Sequence, residues 1–346
     1  MDHFTGLPLE LTFTILKCLP IRDLLVCLQV NKTLNEAGEQ VLYRDIELIW
    51  RRKQREALRP VQQSSFRKLS DLVFRTLQQP SRSTYVQHLR INLGYLESLW
   101  GPAGTNAMTE ADNELLKKAA DLATKSLPEK EELLANLMAG IPNAYIGLLL
   151  FQTQNIKSLS IGHPGGNSRA ADLNSSTTGT SCIPVSNIPF PTLEAFSYMT
   201  LTDQSHTDTI PTKVEARHFI PFFNTPRVRS ISLYLFTNQE IFTKVPQASS
   251  TLTQLVLHKF LLGIDQLENL LLATPNLRVL SLDYWVNCED TTAAKPHLDV
   301  PQLFRGLYPV RKSLRKFKLT TRFFCKNGVY FGIIDDGGDF FDSTTS

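Results

Sequence analysis

Hydrophobic and polar positions follow two different rhythms, one at the N-terminus and one from about residue 86 onward. The first opens in "LPLELTFTILKCLP", residues 7–20, where apolar residues recur at helical spacing between two prolines. Pro8 suits a first helical turn, because its missing N–H would have no partner there, and Pro20 cannot be carried further into the helix. Leu9, Phe13 and Leu16 form one stripe, and Leu11, Ile15 and Leu19 form a second. A surface helix needs one stripe to join its own core. The second predicts a surface for a partner. Asp23 is the expected N-cap of a helix carrying Leu24, Leu25, Cys27 and Leu28. Asn31 interrupts or re-caps, and a further helix runs from about Thr33 towards Val41 and Leu42. Two or three short helices over residues 7–48 bury too little surface to be comfortably stable alone.

A single amphipathic helix comes next: Phe66, Leu69, Val73 and Leu77 share one face, and Pro80 ends it. The second rhythm then begins. "TPRVRSISL" at 225–233 and "TPNLRVLSL" at 274–282 coincide at five of nine positions, with "STLTQLVLH" between them. Aligning Val228, Leu252 and Leu277 gives steps of 24 and 25 residues, inside the 20–29 range of leucine-rich repeats. The template, apolar-x-x-apolar-x-apolar, recurs at Val86/Leu89/Ile91, Ile156/Leu159/Ile161 and Leu314/Phe317/Leu319, and more loosely at Leu193/Phe196. Its alternation has the period of a strand with one buried side.

Helical segments stand before several of these strands: "EKEELLANLMAG" at 129–140, "IDQLENLLLATP" at 264–275 and "PQLFRGLYP" at 301–309. In the second, Asp265 as N-cap with Glu268 three residues on would make a capping box, and Thr274-Pro275 stops the helix. Helix, turn and strand repeated in this way make a solenoid, each unit hiding its apolar face against its neighbours. Seventeen of the 26 residues in 162–187 are Gly, Pro, Ser, Thr or Asn, so that stretch is read as a flexible insert between repeats. The tail "DDGGDFFDSTTS" is similarly weak in structure. If Ile231/Leu233, Leu255/Leu257, Leu280/Leu282 and Phe317/Leu319 are buried, their neighbours form an outward row. That row is Tyr234 and Phe236, His258 and Phe260, Asp283 and Trp285, then Lys316 and Lys318. Aromatic residues on an open sheet face are common anchors of protein interfaces, so this row is the expected target-binding surface.

The N-terminal residues carry a resemblance. Leu7-Pro8, Glu10-Leu11, Ile15-Leu16, Leu19-Pro20, Asp23-Leu24, Val30 to Leu34, Leu42-Tyr43-Arg44 and Ile46 to Leu48 occur in the order and spacing of an F-box. Leu34 stands where that family usually has Trp, and Asn31 where a small Cys or Ser is usual. With its repeats, the chain resembles an F-box protein of the fungal type with a leucine-rich-repeat-like C-terminal region. The resemblance implies a Skp-type adaptor as partner and, through it, a cullin-based SCF-type ubiquitin ligase. It also implies adaptor contacts at Leu7, Pro8, Ile15, Leu16, Leu19, Pro20 and Val30. The expected fold is α/β overall. A small all-α F-box module (1–48) leads through a helical linker (49–84) into an irregular α/β leucine-rich-repeat solenoid (85–346). The implied role is a non-catalytic receptor that brings a target protein, which the sequence does not identify, to the ligase. An adaptor-binding scaffold acting outside any ligase is the alternative. A nucleic-acid-associated protein, using the basic stretches at 50–59 and "RKSLRKFK" at 311–318, is a weaker one.

Composition fits this picture and adds exclusions. Hydrophobic residues make up 42% and charged residues 20% of the 346, enough for a sizeable core. A net charge of +3 is too small to imply a nucleic-acid binder by itself. Five scattered cysteines without a CxxC pair fit neither a disulfide framework nor a zinc site. No secretory signal is visible in "MDHFTG", and runs such as "YIGLLLF" at 145–151 are far short of a membrane span. A soluble protein of the cytoplasm or nucleus is the expectation. GxSxG, P-loop, GxGxxG and HExxH patterns are absent, and the seven histidines have no ligand spacing. No catalytic residue, metal or cofactor is expected.

Overall fold

The computed structural model describes residues 7–49, 58–92, 110–124, 130–164, 190–201, 220–234, 251–260, 264–287, 300–324 and 331–336. Contacts divide the chain into two compact units. The first comprises residues 1–91, 101–159 and 187–192, and the second 92–100, 160–186 and 193–346.

The first unit opens with three helices, α1 (Leu9–Cys18), α2 (Ile21–Cys27) and α3 (Lys32–Arg44). Pro8 is the N-cap of α1, its carbonyl accepting from the Leu11 and Thr12 N–H groups. Pro20 caps α2 with extended backbone. Asp23 therefore lies inside the first turn and is not the N-cap, a correction that follows from proline's fixed φ; its charge still faces the positive end of the helix dipole. Asn31 caps α3 as expected, its Oδ1 accepting from the Leu34 N–H at 2.8 Å. The three helices share a small core of Leu16, Leu24, Leu34 and Ala37, with Phe13, Leu19, Cys27, Val41 and Leu42 packed against it.

Strand β1 (Asp45–Ile49) follows, then α4 (Leu58–Gln78) and α5 (Pro80–Tyr85). Helix α4 starts well before the Phe66–Leu77 stripe and takes in Leu58 and Arg59 of the basic stretch; residues 50–57 lie outside the described residues. Strand β2 (His88–Asn92) lies beside β1. Helices α6 (Glu110–Thr124), α7 (Lys130–Met138) and α8 (Pro142–Gln152) complete the unit's helices. Residues 144–150 of α8 are all buried, so the apolar run at 145–151 is a central core helix. Gly140 (φ 71°) turns the chain between α7 and α8. The Ile141 N–H reaches back to the Asn136 carbonyl there, a left-handed ending that glycine adopts without strain.

The division between units falls within β3 (Ser158–Pro164). Gly162, His163 and Pro164 belong to this strand, so the expected insert begins later than residue 162; residues 165–187 lie outside the described residues.

In the second unit β4 (Ala195–Leu201), β5 (Ser230–Tyr234), β6 (Gln254–Phe260), β7 (Val279–Asn287) and β8 (Lys316–Phe324) are parallel neighbours in chain order. Strand β9 (Phe331–Asp336) closes the edge antiparallel to β8. Asp335 and Asp336 of the supposedly unstructured tail are in β9, and the rest lies outside the described residues. Helices α9 (Ile220–Phe223), α10 (Ile264–Leu272) and α11 (Val300–Gly306) occupy the crossovers, with a 3-10 turn at Tyr308–Val310. Asp265 lies inside α10, whose first residue is Ile264, and so is not its N-cap.

The repeat template holds through both units. All of its apolar positions are buried except Leu319, which is partly exposed. At Ile156, Val228 and Leu277 the first apolar residue of the template sits in a tight turn after a helix, and a threonine hydroxyl three positions earlier bonds back into that helix. Thr153 Oγ1 donates to the Leu149 carbonyl, Thr225 Oγ1 to Pro221 and Thr274 Oγ1 to Leu270, at 2.8, 3.2 and 3.3 Å. The hydroxyl thus satisfies a carbonyl that the ending helix leaves open.

Candidate functional site

The exposed apolar residues gather on the first two helices. Leu7, Leu9, Leu11 and Ile15 are 36–51% exposed, and Ile21, Leu25, Val26 and Val30 are 44–64% exposed. Elsewhere, among the residues whose side chains are described, only Met138, Ile141, Leu272, Phe304 and Tyr308 are large, apolar and exposed. Leu11 and Ile15 are four residues apart and so share a face of α1, and Leu7 stands just before that helix. Helix α1 therefore has two apolar faces, but not with the membership read from sequence. Thr12, Phe13, Leu16 and Leu19 turn inward, while Leu9 joins Leu11 and Ile15 outside.

Of the seven expected adaptor contacts, Leu7, Pro8, Ile15, Pro20 and Val30 are exposed. Leu16 lies in the module's own core, and Leu19, partly exposed, packs against that core. Leu9, Leu11, Ile21, Leu25 and Val26, which are not among the seven expected contacts, are exposed as well. The signal for α2 was available, because Ile21, Leu25 and Val26 surround the single buried position Leu24.

This module is joined to the rest of its unit by charge. Arg82 of α5 donates through Nη2 to Glu39 Oε1 at 2.5 Å and lies 5.3 Å from the Tyr43 ring centroid. The hydrogen bond to Glu39 holds the guanidinium above its ordinary pKa. Arg90 of β2 pairs with Glu47 of β1 at 3.0 Å, and the Gln87 N–H donates to the Arg44 carbonyl at 2.9 Å.

The expected target row is not uniformly open. Tyr234 is buried, against the expectation, and its ring lies 6.5 Å from that of His258. Packing beside a large neighbour across adjacent strands covers it. His258 and Asp283 are partly exposed, and Lys316 and Lys318 are exposed. Ser232 Oγ and His258 Nε2 are 3.2 Å apart. Phe236 lies outside the described residues, as do the side chains of Phe260 and Trp285. The backbone nevertheless settles one relation. Leu257 faces Leu282, but Phe260 faces Tyr284, so a bulge in β6 puts Phe260 and Trp285 out of register. Burial pushes the Tyr284 phenol above its ordinary pKa.

Among the described residues no group of His, Cys, Asp and Glu could hold a metal ion, and no helix is long and apolar enough to cross a membrane. Residues 4–52 match the F-box-like family model. The chain thus carries an F-box-like domain, a module that typically binds Skp-type adaptors and is generally found in non-catalytic subunits of SCF-type ubiquitin ligases. No curated protein matches the chain.

Proposed function

We propose that the protein is the substrate-receptor subunit of an SCF-type cullin ubiquitin ligase. The exposed apolar faces of α1 and α2 would take the Skp-type adaptor, and the sheet of the second unit would take the target. The observation that carries this reading is the set of eight large apolar side chains left exposed within residues 7–30, inside the F-box-like domain. Such a concentration is stabilised when a partner covers it. Adaptor contacts then fall on Leu7, Pro8, Ile15, Pro20 and Val30, joined by Leu9, Leu11, Ile21, Leu25 and Val26.

The test replaces Leu7 by Ala and Ile15 by Asp in the full chain. A carboxylate pressed into an apolar interface costs several kcal/mol, so adaptor co-purification should fall by about a hundredfold or more. Both positions are exposed, so the thermal unfolding midpoint should stay where it is. A folded double variant that still brings down adaptor at the wild-type level refutes the reading.

A further inference from the structure

The basic run at 311–318 serves neither the core nor the apolar faces of the N-terminal helices. Leu314 and Phe317 anchor it by burial, which leaves Arg315, Lys316 and Lys318 exposed at the start of β8. Its neighbours come from distant parts of the chain. The Arg229 carbonyl accepts from the Thr253 and Gln254 N–H groups, both at 2.9 Å. The Thr253 carbonyl accepts from Arg278 and Val279, and the Arg278 carbonyl from Arg315 and Lys316, all at 2.8–2.9 Å. Arg229, Thr253, Arg278 and Arg315 therefore occupy one row, one residue per strand, along the rim where β5 to β8 begin. At about 4.8 Å per strand the row spans roughly 14 Å of backbone.

Arg229, Arg278 and Arg315 are exposed, and Lys316 and Lys318 add charge on the adjoining sheet face, opposite Val279 and Ser281. Among the described residues, no ion pair forms at Arg229, Arg278, Arg315 or Lys316. The acidic groups nearby are Glu194, on the same rim beside Arg229, Asp283, opposite Thr320 on the face that carries Lys316 and Lys318, and Asp335 and Asp336, beside Thr320 and Leu319. Like charges on neighbouring strands work against pairing, and an arginine fork is suited to grip a carboxylate through two hydrogen bonds.

We propose that this rim binds an extended Asp- and Glu-rich segment of the target protein. The proposal rests on reading the second unit as the target-receiving half, and it places the charged contacts at the strand starts. A single nucleic-acid strand fits less well, because the row holds no aromatic platform on which bases could stack.

The test uses the full chain and a fluorescent peptide of alternating Asp and Glu, followed by anisotropy. Arg278→Glu with Arg315→Glu should weaken binding by about tenfold or more, and added salt should weaken the wild type in the same direction. Should that pair fail to fold, Arg278→Gln with Arg315→Gln carries the same expectation. Lys32→Glu, on exposed α3, should change nothing. Unchanged affinity in the folded double variant overturns the proposal. So does equal binding of an Asn/Gln peptide, or oligonucleotide binding as tight as that of the acidic peptide. Adaptor co-purification is measured on the same variants, so failure at the rim is distinguishable from failure of the receptor reading.

Discussion

In the N-terminal helices, apolar residues outnumber the places where their small core can hide them. In the sheet of β4 to β8 nearly every apolar position of the repeat is hidden, and the exposed or partly exposed positions include Ser232, Gln254, His258, Asp283, Lys316 and Lys318. Charges contrast in the opposite sense. Around the N-terminal helices Arg82 and Arg90 are each matched to a carboxylate, whereas Arg229, Arg278, Arg315 and Lys316, at the starts of β5, β7 and β8, make no such pairs among the described residues. One region leaves hydrophobic surface unsatisfied and the other leaves charge unsatisfied. That difference suits the two partners proposed above, one meeting an apolar surface and the other acidic.

The largest expected effect comes from making the same substitution in both settings. Leu280 is fully buried in β7, whereas Leu9 is half exposed on α1. Leu280→Ala should cost about 2–5 kcal/mol, because a cavity is added to the lost transfer energy. Leu9→Ala should cost less than about 0.5 kcal/mol in stability, and its effect should appear in adaptor binding. Denaturant unfolding of both variants decides the matter. Comparable destabilisation would mean that Leu9 is covered within the free chain, and the contrast between the regions would collapse.

Why the sheet was more legible than the helices follows from periodicity. A strand with one buried side has a period of two, so Leu280 and Leu282 could point inward only together. Every strand start from β2 to β8 could be read in this way. A helix that is apolar on two sides offers no such constraint, since either stripe can face the core. The choice was made by α2 and α3, which drew in Leu16 and Leu19 and left Leu9 outside. The bulge in β6 was invisible for a related reason: an extra residue leaves no mark on an alternating pattern until its partner strand is known. Asp23 and Asp265 were read as caps because the residue type favours caps, yet Pro20 had already ended the preceding turn and Ile264 had already begun the next helix.

A middle-sized effect is expected where the F-box-like helices are fastened to α5. Arg82 and Glu39 side chains are each about one-fifth exposed, so their pairing is screened only in part. Arg82→Met leaves Glu39 without its partner and removes the contact with Tyr43, at a cost of about 1–3 kcal/mol. Arg82→Lys should fall between the two, because a lysine keeps the charge but lacks the planar fork. Thermal unfolding of the three proteins gives the ranking. Equal stability of the Met and wild-type chains would show that the fastening lies in the apolar contacts alone.

The smallest effect tests how full the core of the N-terminal helices is. Gly38 is buried in the middle of α3, and a Cβ there would run into Leu28 Cδ2, with Leu28 Cγ at 3.4 Å and Leu24 Cδ1 at 3.5 Å. Two terms oppose each other in Gly38→Ala. Replacing a mid-helix glycine favours the helix by roughly 1 kcal/mol, while overfilling a packed site costs roughly 1–3 kcal/mol. Leu28 is only partly buried and the clash falls on the far end of its side chain, so it can rotate towards solvent and the cost stays at the low end. The net change should be a destabilisation of about 1 kcal/mol or less, with Gly38→Val clearly worse because its branch also meets Leu24. Should Gly38→Ala instead gain the full helical preference, Leu28 is not held against α3, and α2 is free to shift its exposed Leu25 and Val26 relative to α1.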